Sequence, residues 1–262
     1  MRSLLERVLR TIPRPAVAVS GGVDSVTLAA LTSKITADAA LFHAVSPAVP
    51  AEATARVKRL ARERGWQLTV LCAGEFDDPD YRANPVNRCF YCKRNLYGTI
   101  RSHTDRPILS GANLDDLGEY RPGLDAARLH DVRHPFIEAG LTKHAVRELA
   151  RDLALGEVAE LPAAPCLSSR VETGIRIEAA SLAFIHDVER AVAARIRPAT
   201  VRCRIRAAAV VVELDPGTLA RLSAAEARSL SSLIGAQPHR PADLPIRFEE
   251  YRNGSAFLTA GR

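Results

Sequence analysis

The fold is decided by a short stretch near the start of the chain, Ala16-Val17-Ala18-Val19-Ser20-Gly21-Gly22-Val23-Asp24-Ser25. Its apolar first part is short enough for a buried strand, and the two glycines then allow a sharp turn. Asp24 or Ser25 suits the start of a helix, which the apolar run after Ser25 continues. The stretch therefore predicts a strand, a loop and a helix, and the loop amides together with the helix N-terminus would bind an anion such as phosphate.

This loop differs from two common phosphate-binding motifs. No lysine follows the glycines, as a Walker loop requires, and the G-x-G-x-x-G spacing of dinucleotide-binding folds does not occur here. Asp24 has two compatible roles, as a helix cap and as a ligand for a magnesium ion held against a phosphate group. The alternative is a glycine turn between strand and helix that binds no ligand.

The composition of the 262 residues, 47% hydrophobic and 25% charged, is ordinary for a globular protein. We expect two domains and no membrane span, because no apolar run is long enough. Charges interleaved with leucines in the first ten residues exclude a secretory signal. The net charge of +6 suits anionic nucleotides as well as nucleic acid. Five cysteines without an export signal predict a reducing, cytoplasmic location and thiol or metal chemistry.

Strands and helices alternate through the first two thirds of the chain, which predicts a parallel sheet with ligands at the carboxyl ends of its strands. The predicted strands are residues 16–19, 39–45, 67–72 and 107–111. A later helix is capped by Thr142 and ended by Gly156. From about Ile175 the pattern changes to a helix at 178–195, strands at 201–206 and 210–214, a helix at 220–233, and strands near 246–248 and 256–259. We therefore expect an α/β domain at residues 1–174 and a smaller α+β domain at 175–262.

Three cysteines lie where they could take part in chemistry. Cys89 and Cys92 would share one face of a helix, as half of a zinc site, part of an iron–sulfur site or a redox pair. Zinc would need two further ligands, and the sequence has no second C-x-x-C and no H-x₃₋₅-H pair. Cys166 follows prolines that predict an exposed, rigid loop, where Arg170 would favour a thiolate. The alternative for a lone cysteine is a small buried apolar residue.

Two charged segments are candidates for binding. After the fourth strand, three acids could bind magnesium or act as acid and base, while Arg121 could hold a phosphate; the acids are Asp115, Asp116 and Glu119. The alternative is a helix cap with solvated charges. In the strand at 201–206, period-two alternation puts Cys203 on the core face and three arginines on the other, namely Arg202, Arg204 and Arg206. These would bind a phosphate-bearing substrate or line a solvated edge strand.

Four blocks of sequence, in this order, resemble the LarE-type ATP-dependent sulfur transferases of the PP-loop ATP pyrophosphatase superfamily. They are SGGVDS, NPVNRCFYCKRNLY, GANLDDLGEYRPGL with the following EAGLTK, and PAAPCLSSR. The resemblance implies an adenine nucleotide alpha hydrolase-like parallel-sheet domain with a smaller C-terminal α+β domain. It also implies adenylation of a carboxylate of pyridinium-3,5-biscarboxylic acid mononucleotide with release of pyrophosphate, and then replacement of AMP by sulfur, in nickel-pincer cofactor biosynthesis.

The resemblance assigns roles to individual residues. It implies that the nucleotide and its magnesium ion are held by Ser20, Gly21, Gly22, Asp24, Ser25, Gly111, Asp115, Asp116 and Arg121. Its catalytic residues would be Cys166, which handles sulfur, with Glu119 and Arg170. The substrate phosphate would be bound by Arg202, Arg204 and Arg252. Some members of the family sacrifice the sulfur-handling cysteine, which leaves dehydroalanine, whereas the resemblance to members that also carry the C-x-x-C pair implies a [4Fe–4S] cluster on Cys89, Cys92 and Cys166. The family further implies a sulfide source and a homo-oligomer, a hexamer.

Other functions are also compatible with the motifs. The family commonly has an aromatic residue and a lysine before the sulfur cysteine, and a tyrosine-glycine after the arginine. At these places this chain instead has Val158-Ala159-Glu160-Leu161 and Glu172-Thr173-Gly174. A different carboxylated or carbonyl acceptor is therefore an alternative. A tRNA-thiolating PP-loop enzyme is a second, although no aromatic-rich basic platform for RNA is evident. A non-catalytic protein that binds a nucleotide or zinc is a third, and an amidating PP-loop enzyme ranks below these.

Overall fold

The structure is a computed structural model that describes residues 2–118, 120–162, 165–241 and 244–256. These residues form two compact units. Unit 1 contains the chain up to Asp78 and from Cys89 to residue 162, and unit 2 contains Pro79–Arg88 and the chain from Pro165 onward. The contacts thus divide the chain ten residues before the expected boundary at 174, and they place one early segment with the later part of the chain.

The helices and strands alternate in the first part of the chain, as the sequence predicts. The helices are α1 (Arg2–Arg10), α2 (Val23–Ile35), α3 (Ala51–Arg64), α4 (Pro79–Arg82), α5 (Arg88–His103), α6 (Pro122–Leu129), α7 (Pro135–Glu138), α8 (Lys143–Asp152), α9 (Ala179–Ile196), α10 (Pro216–Arg221) and α11 (Ala224–Gly235). The strands are β1 (Ala16–Ala18), β2 (Ala40–Val45), β3 (Gln67–Cys72), β4 (Ile108–Leu109), β5 (Val201–Arg206), β6 (Ala209–Leu214) and β7 (Ile246–Glu250). Short 3₁₀ turns occupy Leu114–Gly118, Gly156–Glu160 and Leu167–Arg170.

The sheet of unit 1 is parallel and has the strand order β3-β2-β1-β4. The strands β2 and β3 lie on one side of β1, and β4 pairs with β1 on the other side, so the strand order reverses between β1 and β4. Such a reversal opens a crevice at the carboxyl ends of the two strands, where α/β proteins bind ligands. The predicted parallel α/β fold is therefore confirmed for this unit, and it fits a Rossmann-like or PP-loop architecture.

The core of unit 1 lies around α2, which is buried along most of its length because it packs between the sheet and other helices. Val26, Leu28 and Ala29 are fully buried there. This burial explains why the sequence after Ser25 is apolar on all sides rather than amphipathic. The helix that follows the glycine loop is thus fixed firmly, and its N-terminus is held at the edge of the crevice.

Unit 2 contains a three-stranded sheet in the order β5-β6-β7, with β5 antiparallel and β7 parallel to β6. Beside it lie α9 and α11, which contact each other. The strand predicted near 256–259 falls mostly outside the described residues. No helix within the described part of the chain is both long and apolar enough to cross a membrane.

Two predicted helix boundaries are wrong. The helix α8 ends at Asp152, and Gly156 instead begins a 3₁₀ turn with a φ of 57°. The single helix predicted at 220–233 is two helices, because Ser223 begins α11 with a capping box. The Ser223 side chain accepts a hydrogen bond from the Glu226 amide, and the Glu226 carboxylate accepts one from the Ser223 amide.

Candidate functional site

The glycine loop joins β1 to α2 at the carboxyl edge of the sheet. Gly21 has a φ of +89°, and a β-carbon at this position would lie 2.9 Å from the Ala53 carbonyl oxygen. A side chain is therefore excluded twice, by the backbone conformation and by the closeness of α3. The guanidinium of Arg56 donates a hydrogen bond to the Gly21 carbonyl oxygen at 3.0 Å. This carbonyl is thus turned toward α3.

The serines of the loop bond to the loop itself. The Ser25 hydroxyl donates to the Gly22 carbonyl at 3.1 Å and accepts from the Ser20 amide at 3.1 Å. In contrast, the amides from Gly21 to Ser25 have no hydrogen-bond acceptor among the residues that the structure describes. Amides in the first turn of a helix have no partner within the helix, and they carry its positive dipole end. The loop therefore presents open backbone amides of the kind that bind an anion, and anion binding itself stays a prediction.

Asp24 is contacted by two side chains from distant parts of unit 1. The Lys143 ammonium, at the start of α8, forms an ion pair with Asp24 Oδ2, and the Asn113 amide donates to Oδ1 at 3.4 Å. Asn113 is buried, and the other two side chains are partly exposed. The carboxylate beside the open amides is thus already paired with a cation. The sequence motifs indicate Asp24 but not Lys143 or Asn113, although both lie in blocks that carry the resemblance.

The acidic segment after β4 is organised by its own hydrogen bonds. Asp115 accepts from the Lys143 amide at 2.7 Å, and Asp116 accepts from the Asn113 amide at 3.0 Å. The second oxygen of Asp116 pairs with Arg121 at 2.9 Å. These contacts match the predicted alternative of a cap, and they hold Lys143 and Asn113 close to the loop. Glu119 lies outside the described residues, so its predicted role stays a prediction.

Gly111 approaches the loop from the end of β4. A β-carbon on Gly111 would lie 3.0 Å from both the Asp24 carbonyl carbon and the Ser25 nitrogen. The structure therefore brings the predicted nucleotide residues of β1, α2 and β4 together, and it requires glycine where β4 meets the helix start. The predicted binding of a nucleotide there stays a prediction.

His43 supports the loop from the neighbouring strand β2. Its ring is fully buried, with Nδ1 2.8 Å from the Val19 carbonyl oxygen and Nε2 2.9 Å from the Thr54 hydroxyl. The carbonyl requires Nδ1 to donate, so Nε2 accepts from Thr54. Burial lowers the pKa of His43, which keeps the ring neutral. His43 is thus part of the support for the loop.

Cys89 and Cys92 lie one turn apart at the start of α5, as their spacing predicts, and both are partly buried. All five cysteines of the chain are described, and each is a thiol rather than half of a disulfide. Among the described residues, no group of three or more His, Cys, Asp or Glu side chains is arranged to hold a metal ion. The predicted cluster ligands therefore stay a prediction.

In unit 2, Cys166 immediately precedes the 3₁₀ turn Leu167–Arg170. The thiol is partly exposed and Pro162 and Pro165 are exposed, but all four residues of the turn are buried, so the expectation of an exposed loop is wrong for Leu167–Arg170. Arg170 Nη1 donates to the Pro165 and Cys166 carbonyls at 2.6 and 3.1 Å, and its other nitrogens pair with Glu189. The arginine therefore holds the backbone on which the thiol sits.

The arginines of β5 are largely neutralised within unit 2. Glu213 on β6 is buried and pairs with Arg204 Nε at 3.0 Å and with Arg206 Nη2 at 2.9 Å. Arg204 also donates to the Ser169 carbonyl at 3.0 Å and to the Arg252 carbonyl at 3.4 Å. Cys203 is fully buried, as predicted, and burial raises the pKa of its thiol.

Arg202 has a different environment from the arginines that pair with Glu213. Its guanidinium lies 5.8 Å from the ring centre of Tyr251 and donates to its neighbour's carbonyl, that of Val201, at 2.7 Å. Burial and the nearby charge of Arg170 lower the pKa of Arg202. A negative charge at this place would offset both effects. The predicted contact of Arg202 with a substrate phosphate stays a prediction.

Comparison with known proteins places the chain in a family. No protein-family model matches it. An uncharacterized protein of Synechocystis sp., slr1717, is 33% identical over 190 residues, which cover 71% of this chain and 70% of slr1717. The chain belongs to the slr1717 family. An uncharacterized protein of Methanocaldococcus jannaschii is 27% identical over 177 residues, or 66% of this chain and 67% of its own length.

A distant relative of this slr1717-family chain has a named activity. It is the pyridinium-3,5-bisthiocarboxylic acid mononucleotide synthase of Lactiplantibacillus plantarum, 26% identical over 160 residues. The match covers 59% of this chain and 58% of the synthase. This synthase is the LarE enzyme, so the predicted resemblance to LarE is confirmed as distant homology, while the iron–sulfur variant stays a prediction.

Proposed function

We propose that the protein is an ATP-dependent sulfurtransferase that converts a carboxylate of pyridinium-3,5-biscarboxylic acid mononucleotide to a thiocarboxylate. The observation that carries the proposal is the homology to the synthase of L. plantarum, whose name states this type of product. Its support within the molecule is the set of open backbone amides from Gly21 to Ser25 in unit 1 and a partly exposed thiol beside a buried turn in unit 2. We further propose a cytoplasmic homo-oligomer that uses an exogenous sulfide source.

The first step would be adenylation. A substrate carboxylate oxygen attacks the α-phosphorus of ATP, the bond from that phosphorus to the bridging oxygen breaks, and pyrophosphate leaves. The open amides from Gly21 to Ser25 would bind the pyrophosphate oxygens and stabilise the charge that develops on them. Asp24 would hold a magnesium ion. Its ion pair with the Lys143 ammonium supports this role, because it shows that the carboxylate is placed to bind a cation. Lys143 would then be released toward the phosphates.

The second step would transfer sulfur. A sulfur nucleophile adds to the carbonyl carbon of the acyl adenylate, the bond to the AMP oxygen breaks, and AMP leaves with the electron pair. Cys166 is the thiol that we propose for handling this sulfur, with Arg170 fixing its backbone. Arg202 and Arg252 would bind the phosphate of the mononucleotide. Arg204, which pairs with buried Glu213, would contribute less than predicted from its place in the strand.

Cys89, Cys92 and Cys166 are free thiols, the ligand type that iron–sulfur clusters use, although no group of three metal ligands is assembled among the described residues. When bound on three cysteines, a [4Fe–4S] cluster leaves one iron open to an exogenous sulfide. We propose these residues as its ligands. Iron and acid-labile sulfide should be found after anaerobic purification and lost in Cys89→Ala, whereas Cys72→Ala should keep both. A protein free of iron after anaerobic reconstitution would reject the cluster, and loss of mass at Cys166 after turnover would then indicate a sacrificial cysteine.

The function is tested by incubating the protein with ATP, magnesium, sulfide and the dicarboxylate mononucleotide. We expect AMP, pyrophosphate and a product heavier by the exchange of one oxygen for one sulfur, none of which should form without the acceptor. Replacing the acceptor with bulk tRNA is the control for the RNA-thiolating alternative. AMP release with tRNA and not with the mononucleotide would overturn the proposed substrate, and absence of AMP with either would overturn the proposed chemistry.

A further inference from the structure

The Cys166 turn is held by a segment that lies far from it in the sequence. Pro79–Arg88 belongs to unit 2, together with the chain from Pro165 onward. Within it, the Tyr81 hydroxyl lies 2.6 Å from the Ser168 hydroxyl, and both side chains are fully buried. Ser168 is the second residue after Cys166. A buried hydroxyl pair of this length is a well-formed hydrogen bond, which is strong because no water competes for either group.

The same segment also holds the chain where it leaves the turn. Asn84 is fully buried and has a φ of 55°, and its side-chain amide donates to the carbonyls of Val171, Glu172 and Ile175 at 3.3, 2.8 and 3.0 Å. Its own carbonyl accepts from the Gly174 amide at 2.9 Å. The residues after the turn are therefore bonded to one side chain and one backbone group of this segment.

The turn itself closes through two backbone hydrogen bonds. The Ser169 amide donates to the Cys166 carbonyl at 3.0 Å, and the Val171 amide donates to the Ser168 carbonyl at 3.2 Å. The neighbouring backbone and hydroxyl groups are thus bonded, but the Cys166 thiol makes no hydrogen bond or ion pair with any described residue. A thiol on a fixed support with its own sulfur open is the arrangement that a nucleophile or sulfur carrier needs, because a small misplacement of reacting atoms costs much rate.

We infer that Tyr81 is a positioning residue for Cys166: its hydroxyl, bonded to Ser168, sets the conformation of the turn that presents the thiol. Tyr81 acts through the turn and does not contact the reacting atoms. The inference rests on the proposed sulfur-transfer function for its kinetic consequence. Its structural part, the coupling of Tyr81 to the Cys166 turn, does not depend on which reaction the protein catalyses.

The test compares the whole protein with Tyr81→Phe, Ser168→Ala and the double variant. Each single change removes the hydroxyl pair while keeping most of the buried volume. We expect the Ser169 and Val171 amides to exchange with deuterium about tenfold faster in either single variant, since one buried hydrogen bond is worth roughly this factor. Because both changes break the same bond, their effects should not multiply in the double variant.

Two controls separate positioning from a general loss of structure. Tyr97→Phe alters a tyrosine of unit 1 that is also buried, and it should leave both amides of the turn unchanged. Cys203, fully buried on β5, should stay unreactive to iodoacetamide in every variant, which shows that unit 2 remains folded. In turnover, kcat for thiocarboxylate formation should fall about tenfold in Tyr81→Phe, while KM for ATP stays unchanged.

The outcomes distinguish this inference from the proposed function. Unchanged exchange of the Ser169 and Val171 amides in both single variants would overturn the inference, as would effects that multiply in the double variant. Faster exchange with an unchanged kcat would also overturn the positioning role, because the turn would then loosen without affecting sulfur transfer. If the unaltered protein forms no thiocarboxylate, the proposed function fails, while the exchange data still decide whether Tyr81 governs the turn.

Discussion

The glycine loop of unit 1 and the Cys166 turn of unit 2 are supported in opposite ways. In the glycine loop, small residues leave the amides from Gly21 to Ser25 open, so the ligand-facing surface is backbone. At Cys166, the carbonyls are tied by Arg170, and a single side chain is left open. Adding atoms should therefore damage the glycine loop, whereas removing buried supporting atoms should damage the Cys166 turn.

The largest expected effect separates sulfur transfer at the Cys166 turn from adenylation at the glycine loop. Cys166→Ser keeps the size of the side chain but replaces the sulfur, so thiocarboxylate formation should fall about a thousandfold or more. Acceptor-dependent exchange of pyrophosphate into ATP should stay within about twofold, because the glycine loop is unchanged. Cys72→Ser, at an exposed cysteine of unit 1, is the matched control. Sulfur transfer that survives in Cys166→Ser would remove this thiol from the reaction.

The next effect sharpens the assignment of the glycine loop. Lys143→Met removes the cation that pairs with Asp24, and we expect pyrophosphate release to fall about a hundredfold, the typical effect of losing one charge-stabilising group. Lys58→Met, at an exposed lysine of α3, should have little effect. Exchange of the Ser169 and Val171 amides should not change. A Lys143→Met protein with normal adenylation would show that the ion pair with Asp24 is only structural.

A smaller effect tests whether the loop tolerates added atoms. Gly21→Ala should lower the free energy of unfolding by about 1–3 kcal/mol, because a β-carbon there meets a carbonyl oxygen and the φ is +89°. Gly22→Ala is the matched control. Its φ is −82°, and the added carbon would lie 3.7 Å from the Ser20 hydroxyl, so its cost should be about 0.5 kcal/mol or less. Equal costs in denaturant titrations would refute the strain at Gly21.

The smallest effect concerns pH. Burial lowers the pKa of His43 in the folded state, so its neutral ring stabilises the fold above the unfolded value of about 6.5, and this stability is lost as the pH falls through the folded pKa. His43→Gln should therefore flatten the fall in unfolding free energy between about pH 7 and pH 5, by at most about 1.4 kcal/mol per pH unit. His134, whose pKa burial also lowers, provides a parallel variant. An unchanged slope would contradict the buried neutral ring.

The sequence predicted the elements whose signals are local. All four strands of unit 1 and the strand β5 lie where periodicity and glycines place them, because these signals depend on neighbouring residues. The ion pair of Lys143 with Asp24 was missed, since the two residues are 119 positions apart. The burial of Arg204 was missed for a similar reason, because its carboxylate partner lies on the next strand, and alternation along one strand does not show it.

The burial of the Cys166 turn was also beyond prediction from its own residues. Prolines and small side chains at 161–170 predict an exposed loop, but Leu167–Arg170 packs against α9 and β5 and is bonded to Tyr81, which no local pattern links to it. The Cys166 thiol itself is partly exposed, which is typical of a side chain in a loop. The reactivity of Cys166 stays a prediction from the family resemblance, and the residues that support its turn come from distant parts of the sequence.

Because Pro79–Arg88 belongs to unit 2, this segment cannot reach its final contacts early in synthesis on the ribosome. Tyr81 is made 87 residues before Ser168, its hydrogen-bond partner. At a translation rate of roughly 5–20 residues per second, the strands and turn that bury this segment are made on the order of ten seconds after it. During that time its polar groups depend on water or a chaperone. In an expression fragment that stops before Pro165, this segment would never acquire its contacts with the later part of unit 2.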